Sequence, residues 1–198
     1  MRTLIFATNN RHKVDEMKAV TGGNYAIISL KEAGIDIDIP EPFDTLEENA
    51  ITKAETIYEL LGQDCFSEDT GLEVTAINGE PGVKSARYAG EDKSFSDNID
   101  KLFFKLEGQK KREAVFRAVI CLISNGKKFL FEGSCYGSIT SERKGVGGFG
   151  YDPVFIPDGF KETFAEMGAA AKIKLSHRTI AVQKLLAHLS TYGNFGFI

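Results

Sequence analysis

The sequence predicts an α/β protein with a mixed β-sheet flanked by helices, and three stretches carry that prediction. A short apolar run opens the chain and gives way to a polar loop and a helical stretch. A capped amphipathic helix begins near residue 45, and a long Val-, Ile- and Phe-rich hairpin lies past the middle. In order, Thr3 to Ala7 reads as a buried strand, broken by Asn9-Asn10. Lys13, Met17 and Val20 then recur at helical spacing until Gly22-Gly23. Tyr25 to Ser29 reads as a second strand. Pro40-Glu41-Pro42 enforces an extended segment, because proline fixes its own φ and biases its predecessor away from the helix. Thr45-Leu46-Glu47-Glu48 is a capping box, and Leu46, Ala50, Ala54, Ile57 and Leu61 form one helical stripe that Gly62 ends. Cys65 to Ser67 and Leu72 to Ala76 read as strands on either side of an acidic turn, Glu68-Asp69-Thr70-Gly71, and Phe95 to Leu106 reads as a helix. Ala114 to Ile123 and Lys128 to Phe131 read as an antiparallel pair joined by Asn125-Gly126, the favoured hairpin turn. Gly145 to Gly150 is a loop, and Ser176 caps a last helix through Ala181, Leu185 and Leu189.

Composition bounds what such a chain does. With 198 residues, 42% hydrophobic and 26% charged, it suits one continuous core, and disorder is excluded. A net charge of -4, from 28 acidic and 24 basic residues, offers no broad positive field for a nucleic acid. The three cysteines, Cys65, Cys121 and Cys135, form no Cys-x-x-Cys and read as reduced core residues. Met1 to Ala7 is apolar for too few residues to be a signal peptide, and no run is long enough to span a bilayer, so the cytoplasm is the expected compartment.

Four segments carry candidate chemistry. In Thr8-Asn9-Asn10-Arg11-His12-Lys13 a strand ends in a loop that opens a helix, where backbone N–H groups, the helix dipole and Lys13 suit a phosphate; a plain capped turn is the competing reading. Glu41, Glu48 and Glu68-Asp69 are hard oxygen donors. Magnesium takes only one or two carboxylates besides substrate phosphates, although Glu48 already serves as a helix cap. Gly145-Val146-Gly147-Gly148-Phe149-Gly150 contains a G-x-G-x-x-G string, but Tyr151-Asp152-Pro153 and an apolar extended run follow it instead of a helix, which rejects a dinucleotide fold. Its glycines suit a base stacking on Phe149, with Tyr151 or Asp152 at the edge; a glycine hinge is the alternative. Lys172 precedes Ser176-His177-Arg178, whose positive side chains at a helix N-terminus point to a nearby anion or polar ligand. His177 has no partner at zinc-ligand spacing.

Together these segments resemble the inosine/xanthosine triphosphate pyrophosphatase family nearly end to end. The match is carried by Ala7 to Lys13, by Glu48-Asn49-Ala50-Ile51-Thr52-Lys53-Ala54, by Glu68-Asp69-Thr70-Gly71-Leu72 with Pro81-Gly82-Val83 and Ser85-Ala86-Arg87-Tyr88, and by Gly147 to Pro153 with Ser176-His177-Arg178. The resemblance implies an elongated mixed sheet with flanking helices, in two lobes around a central cleft, as a single two-lobed domain over 1–198 that forms a homodimer built partly around the sheet. It implies that Thr8, Asn9, Asn10, Arg11, His12 and Lys13 grip a triphosphate with Lys53, and that Asp69 is the general base. Glu41 and Asp69 would hold Mg²⁺, with Glu68 a supporting ligand at most. Thr70 would touch substrate, and Phe149, Gly150, Tyr151, Asp152, Lys172, His177 and Arg178 would surround sugar and base. One departure is visible. Many members carry Ser or Thr followed by Glu before the lysine, where this chain reads Met167-Gly168-Ala169-Ala170-Ala171-Lys172, which leaves the local helix start open. The implied activity is hydrolysis of ITP, XTP or dITP to monophosphate and pyrophosphate, with base selection by hydrogen bonds to the 6-oxo edge, a type of recognition that reaches roughly 10⁴–10⁵ in specificity. A related pyrophosphatase for other modified nucleotides, and a non-catalytic nucleotide sensor, are the alternatives.

Overall fold

Strand β1 (Arg2–Phe6) lies between β2 (Tyr25–Ser29) and β3 (Cys65–Val74) and runs parallel to both, with Leu4 opposite Ile27 and Ile5 opposite Cys65. Parallel neighbours need crossovers, and helices α1 (Arg11–Thr21) and α2 (Leu46–Leu61) supply them. The computed structural model describes residues 2–23, 25–92 and 94–192. Among these, one sheet of seven strands runs in the order β2, β1, β3, β5 (Glu113–Ser124), β6 (Lys127–Ile139), β7 (Phe155–Pro157), with the short β4 (Pro81–Gly82) antiparallel on β3. The hairpin is longer than its apolar run suggests: β5 spans Glu113–Ser124 and β6 spans Lys127–Ile139. Asn125 (φ 49) and Gly126 (φ 72) both take the left-handed conformation the tight turn demands. Strand β7 (Phe155–Pro157) pairs antiparallel with the end of β6. The remaining helices are α3 (Phe95–Lys105), α4 (Phe164–Met167), α5 (Ala169–Lys172) and α6 (His177–Tyr192).

The sheet is therefore mixed and helix-flanked, as the sequence predicts. Thr45 caps α2 by accepting from the Glu48 amide (3.2 Å), and Asn10 caps α1 through the Lys13 amide (3.2 Å). One expectation fails. Glu68-Asp69-Thr70-Gly71 forms no turn but lies within the single ten-residue strand β3, whose first five residues are all buried. Turn-forming chemistry loses to burial because both acids meet buried cations, described below.

The chain divides into two compact units. The first comprises the chain up to Asp69, Ala118–Gly133 and the chain from Arg178. The second comprises Thr70–Arg117 and Ser134–His177. The first is cored by Leu4, Phe6, Met17, Phe66, Ile120 and Leu185, and the second by Leu72, Leu102, Phe116, Val154, Phe155 and Phe164. Cys65, Cys121 and Cys135 are buried free thiols, and burial pushes them up to about 12, 11 and 11. Among the described residues no helix is long and apolar enough to cross a membrane.

Candidate active site

The first unit gathers a cluster of buried charges around β3. Successive side chains of a strand point to opposite faces, so Ser67 and Asp69 meet α2 while Glu68 meets α1 and α6. On the α2 face, Ser67 donates to the Ala50 carbonyl, and Lys53 Nζ lies 2.7 Å from Asp69 Oδ1 and 2.5 Å from Glu41 Oε1. Glu41 reaches this position because Asn49, buried on the same helix, clamps the backbone two residues on. Its side chain accepts from the Phe43 amide and donates to the Phe43 carbonyl, both at 3.0 Å. On the other face, Arg178 grips Glu68 with two bonds, Nε to Oε2 at 2.7 Å and Nη2 to Oε1 at 2.8 Å, and its Nη1 donates to Glu16. Lys13 Nζ approaches Glu68 Oε1 at 3.5 Å.

Electrostatics sorts these groups. Burial raises the Asp69 carboxyl above its ordinary range, against the pull of Lys53 and Lys13 and with the help of Glu41. Burial likewise opposes charge on Lys53, but Asp69 and Glu41 outweigh it and hold the ammonium firmly protonated. In Lys13 burial prevails and its pKa falls, despite Glu68. The decisive atom is Asp69 Oδ2. Asp69 is only 6% exposed, and this oxygen is buried without a hydrogen-bond partner. A buried carboxylate oxygen lacking a donor is stabilised by a cation, and hard divalent cations prefer oxygen. Glu41 and Asp69 therefore fit as carboxylate ligands. Among the described residues no group of three or more His, Cys, Asp or Glu forms a full metal cage, and magnesium with a phosphate substrate does not require one. Within the cluster, the carboxylates of Glu16, Glu41, Glu68 and Asp69 outnumber the cations of Lys13, Lys53 and Arg178. A divalent cation reverses that balance in favour of a polyanion.

The rest of the predicted phosphate loop is partly committed to the protein. Thr8 Oγ1 accepts from the Asn10 amide (3.1 Å), Asn10 caps α1, and Asn9 Oδ1 accepts from the Lys31 amide (3.1 Å). Arg11 and His12 are exposed, and Arg11 lies 3.8 Å from Asp15 one helical turn on.

The second unit holds the other cluster. Asp152 is 2% exposed, and its Oδ2 accepts from the Phe149 amide (2.9 Å) and from Lys172 Nζ (2.6 Å). That ammonium lies 4.8 Å from the centre of the half-buried Phe149 ring and 5.6 Å from that of Phe164. The departure near Lys172 is accommodated by a new start. Thr163 and Glu166 form a reciprocal capping box on α4, and Gly168 leads into α5, which ends at Lys172. Tyr151 is a core residue whose hydroxyl donates to the Ser85 carbonyl (3.0 Å), so the edge contact expected of it is already taken inside the protein.

The chain matches the model of the Ham1 family over residues 4–188. The chain belongs to the Ham1 family. Among its relatives, the dITP/XTP pyrophosphatase of Flavobacterium johnsoniae is 49% identical over 92% of this chain and 95% of that protein. The dITP/XTP pyrophosphatase of Porphyromonas gingivalis is 50% identical over 93% and 96%. The solved structure of the Staphylococcus aureus Ham1 protein superposes with a TM-score of 0.87 at 38% identity, covering 96% of this chain and 99% of that one.

Within this Ham1 chain the structure joins Lys13, Glu41, Lys53 and Asp69 in one unit, and Phe149, Asp152 and Lys172 in the other. Thr70 follows Asp69 on β3, and Gly150 takes a positive φ of 63°. His177 is buried, with its ring stacked 4.8 Å from Phe116. The anion expected near Arg178 proves to be Glu68 together with Glu16. Glu68 is thus held by the guanidinium, and the Glu48 side chain accepts from the Thr45 hydroxyl (2.6 Å), whose oxygen in turn accepts from the Glu48 amide. The clamping role of Asn49 escaped the sequence reading. Its signal was a polar residue in the apolar stripe of α2, one turn before Lys53.

Proposed function

We propose that this Ham1-family chain hydrolyses non-standard purine nucleoside triphosphates, XTP, ITP and dITP, to the monophosphate and pyrophosphate. The observation that carries the reading is the buried Asp69 carboxylate, raised in pKa, with one oxygen engaged by Lys53 and the other without a donor. A carboxylate so poised is suited to take a proton from an attacking water. Glu41 and Asp69 would hold Mg²⁺, which when bound neutralises phosphate charge and acidifies water. Lys13 and Lys53 bind the triphosphate together with the Thr8 to His12 loop, and Thr70 lies beside the reacting end. Phe149 stacks on the base, Gly150 lets it approach, and Asp152 and Lys172 read its edge. His177 and Arg178 support the two clusters from α6. The same reading takes the chain as a cytoplasmic homodimer that acts on a small nucleotide, with neither nucleic acid nor membrane as partner.

The test is product identification. The protein is incubated with ITP, XTP, dITP, ATP and GTP at fixed Mg²⁺, and the first phosphorus product is read by ³¹P NMR. Pyrophosphate from the first three is expected; orthophosphate as the first product overturns the reading. Asp69→Asn should lose roughly 10²–10⁴ in turnover while still binding ITP. A wild type that binds ITP without turnover identifies a sensor, and a preference for modified pyrimidines or m⁷G identifies a related pyrophosphatase.

A further inference from the structure

The glycines of the Phe149 loop meet different demands. Gly150 has φ 63° with nothing within 4 Å of where a Cβ would stand, so no neighbouring atom of the protein demands a glycine there. Gly148 has a similar φ of 72°, but a Cβ there would lie 2.0 Å from Asp152 Oδ2 and 2.8 Å from its Cγ. The space left by the missing side chain is filled by a carboxylate, and by the oxygen on which the second cluster converges. That Oδ2 accepts from the Phe149 amide and from Lys172 Nζ, so a single atom fixes the backbone beneath the Phe149 ring and the ammonium beside it. Asp152 is buried, which leaves its carboxylate no solvated position to retreat to without breaking both bonds.

We infer that Gly148 is a positioning residue for base selection: by lacking a side chain it lets Asp152 sit under the loop and align Phe149 with Lys172. The inference rests on the proposed pyrophosphatase reading, in which this cluster faces the base. Gly148 touches no substrate and acts through Asp152.

The experiment compares Gly148→Ala, Gly159→Ala, Asp152→Ala and Gly148→Ala/Asp152→Ala, each first checked by thermal denaturation. Steady-state pyrophosphate release is measured with ITP and ATP, and inhibition is measured with tripolyphosphate as a probe of the lysine cluster. Gly148→Ala should lower the ITP-over-ATP ratio of kcat/KM about tenfold or more, mainly through a raised KM for ITP, with tripolyphosphate inhibition unchanged. Gly159→Ala, at φ 82° with nothing within 4 Å of where a Cβ would stand, carries the same backbone strain without the collision and should stay within about threefold of wild type. In the double variant the two changes should not add, because the alanine has nothing left to displace. Three results overturn the inference: wild-type selectivity in Gly148→Ala, equal losses in Gly148→Ala and Gly159→Ala, or additive losses in the double variant. If Gly148→Ala does not fold, the double variant must fold and match Asp152→Ala, and its failure to do so also overturns the inference. Failure of the function itself is read separately: if the wild type releases no pyrophosphate from any nucleotide, calorimetric binding of ITP and ATP to the same four variants still decides the role of Gly148.

Discussion

Replacing Arg178 with methionine isolates what holds β3 in place. The guanidinium makes two bonds to Glu68 and one to Glu16, and the Glu68 and Arg178 side chains are 0% and 2% exposed. Burial opposes the charge on Arg178, but Glu68 and then Glu16 hold it protonated. Methionine keeps much of the volume but takes both guanidinium bonds from the buried Glu68 carboxylate, which Lys13 approaches only at 3.5 Å. Breaking a buried pair from one side costs about 3–5 kcal/mol, a large part of the roughly 5–15 kcal/mol by which a domain is stable. With a urea slope of about 2–3 kcal/mol/M for a chain of this size, the unfolding midpoint should fall by about 1–2.5 M, measured by circular dichroism. Adding Glu68→Gln removes the uncompensated charge and should recover about half of the loss. Arg178→Lys should recover little, because an ammonium cannot reproduce the two-pronged geometry. The reasoning is refuted if Arg178→Met unfolds within about 1 kcal/mol of wild type while its KM for ITP rises, since Arg178 would then be engaged with substrate and not with Glu68.

Two smaller perturbations probe the surroundings. Asn49→Ala strands the amide and carbonyl of Phe43, so it should cost about 1–3 kcal/mol in urea unfolding and, by loosening the segment that carries Glu41, weaken Mg²⁺ binding in calorimetry; unchanged values for both would remove the clamp from the account. Glu32, bonded to Lys18 and to Ser29, has its carboxyl lowered from 4.5 to about 2. A depressed folded value means stability that is present above pH 4.5 and lost as pH falls towards 2. Because the side chain is 49% exposed, the contribution is well under about 1 kcal/mol. NMR titration of the carboxyl should give a midpoint near 2, and a midpoint near 4.5 would show that the bonds do not persist in solution.

Local rules made much of the fold legible. Thr45, the apolar stripe to Leu61 and Gly62 define α2 without help from elsewhere, and Asn125-Gly126 marks its hairpin with turn chemistry alone. Strand β3 was misread because Glu68 to Gly71 has the composition of a turn. What makes it a strand is Arg178, 110 residues away, together with Lys53 on another helix, and no local pattern carries such partners. The candidate site was legible as residue types, in Asp69, Lys53, Asp152 and Lys172. The division of labour among them was not. Whether Arg178 and Tyr151 turn outward or inward depends on which partners folding brings to them, Glu68 for one and the Ser85 carbonyl for the other.

The pleat of β3 gives the order of its acidic doublet a meaning that net charge does not capture. The longer acid lies on the face where a guanidinium of α6 must be reached from the strand, and the shorter one lies on the α2 face with an oxygen left over. Exchanging the two letters, or slipping the strand by one, preserves every formal charge and inverts the assignment, with a glutamate pressed against Lys53 and an aspartate one methylene short of Arg178. In this chain the grammar of two neighbouring carboxylates is positional, and a designer who treats Glu68 and Asp69 as synonyms will scramble anchor and reagent in a single edit.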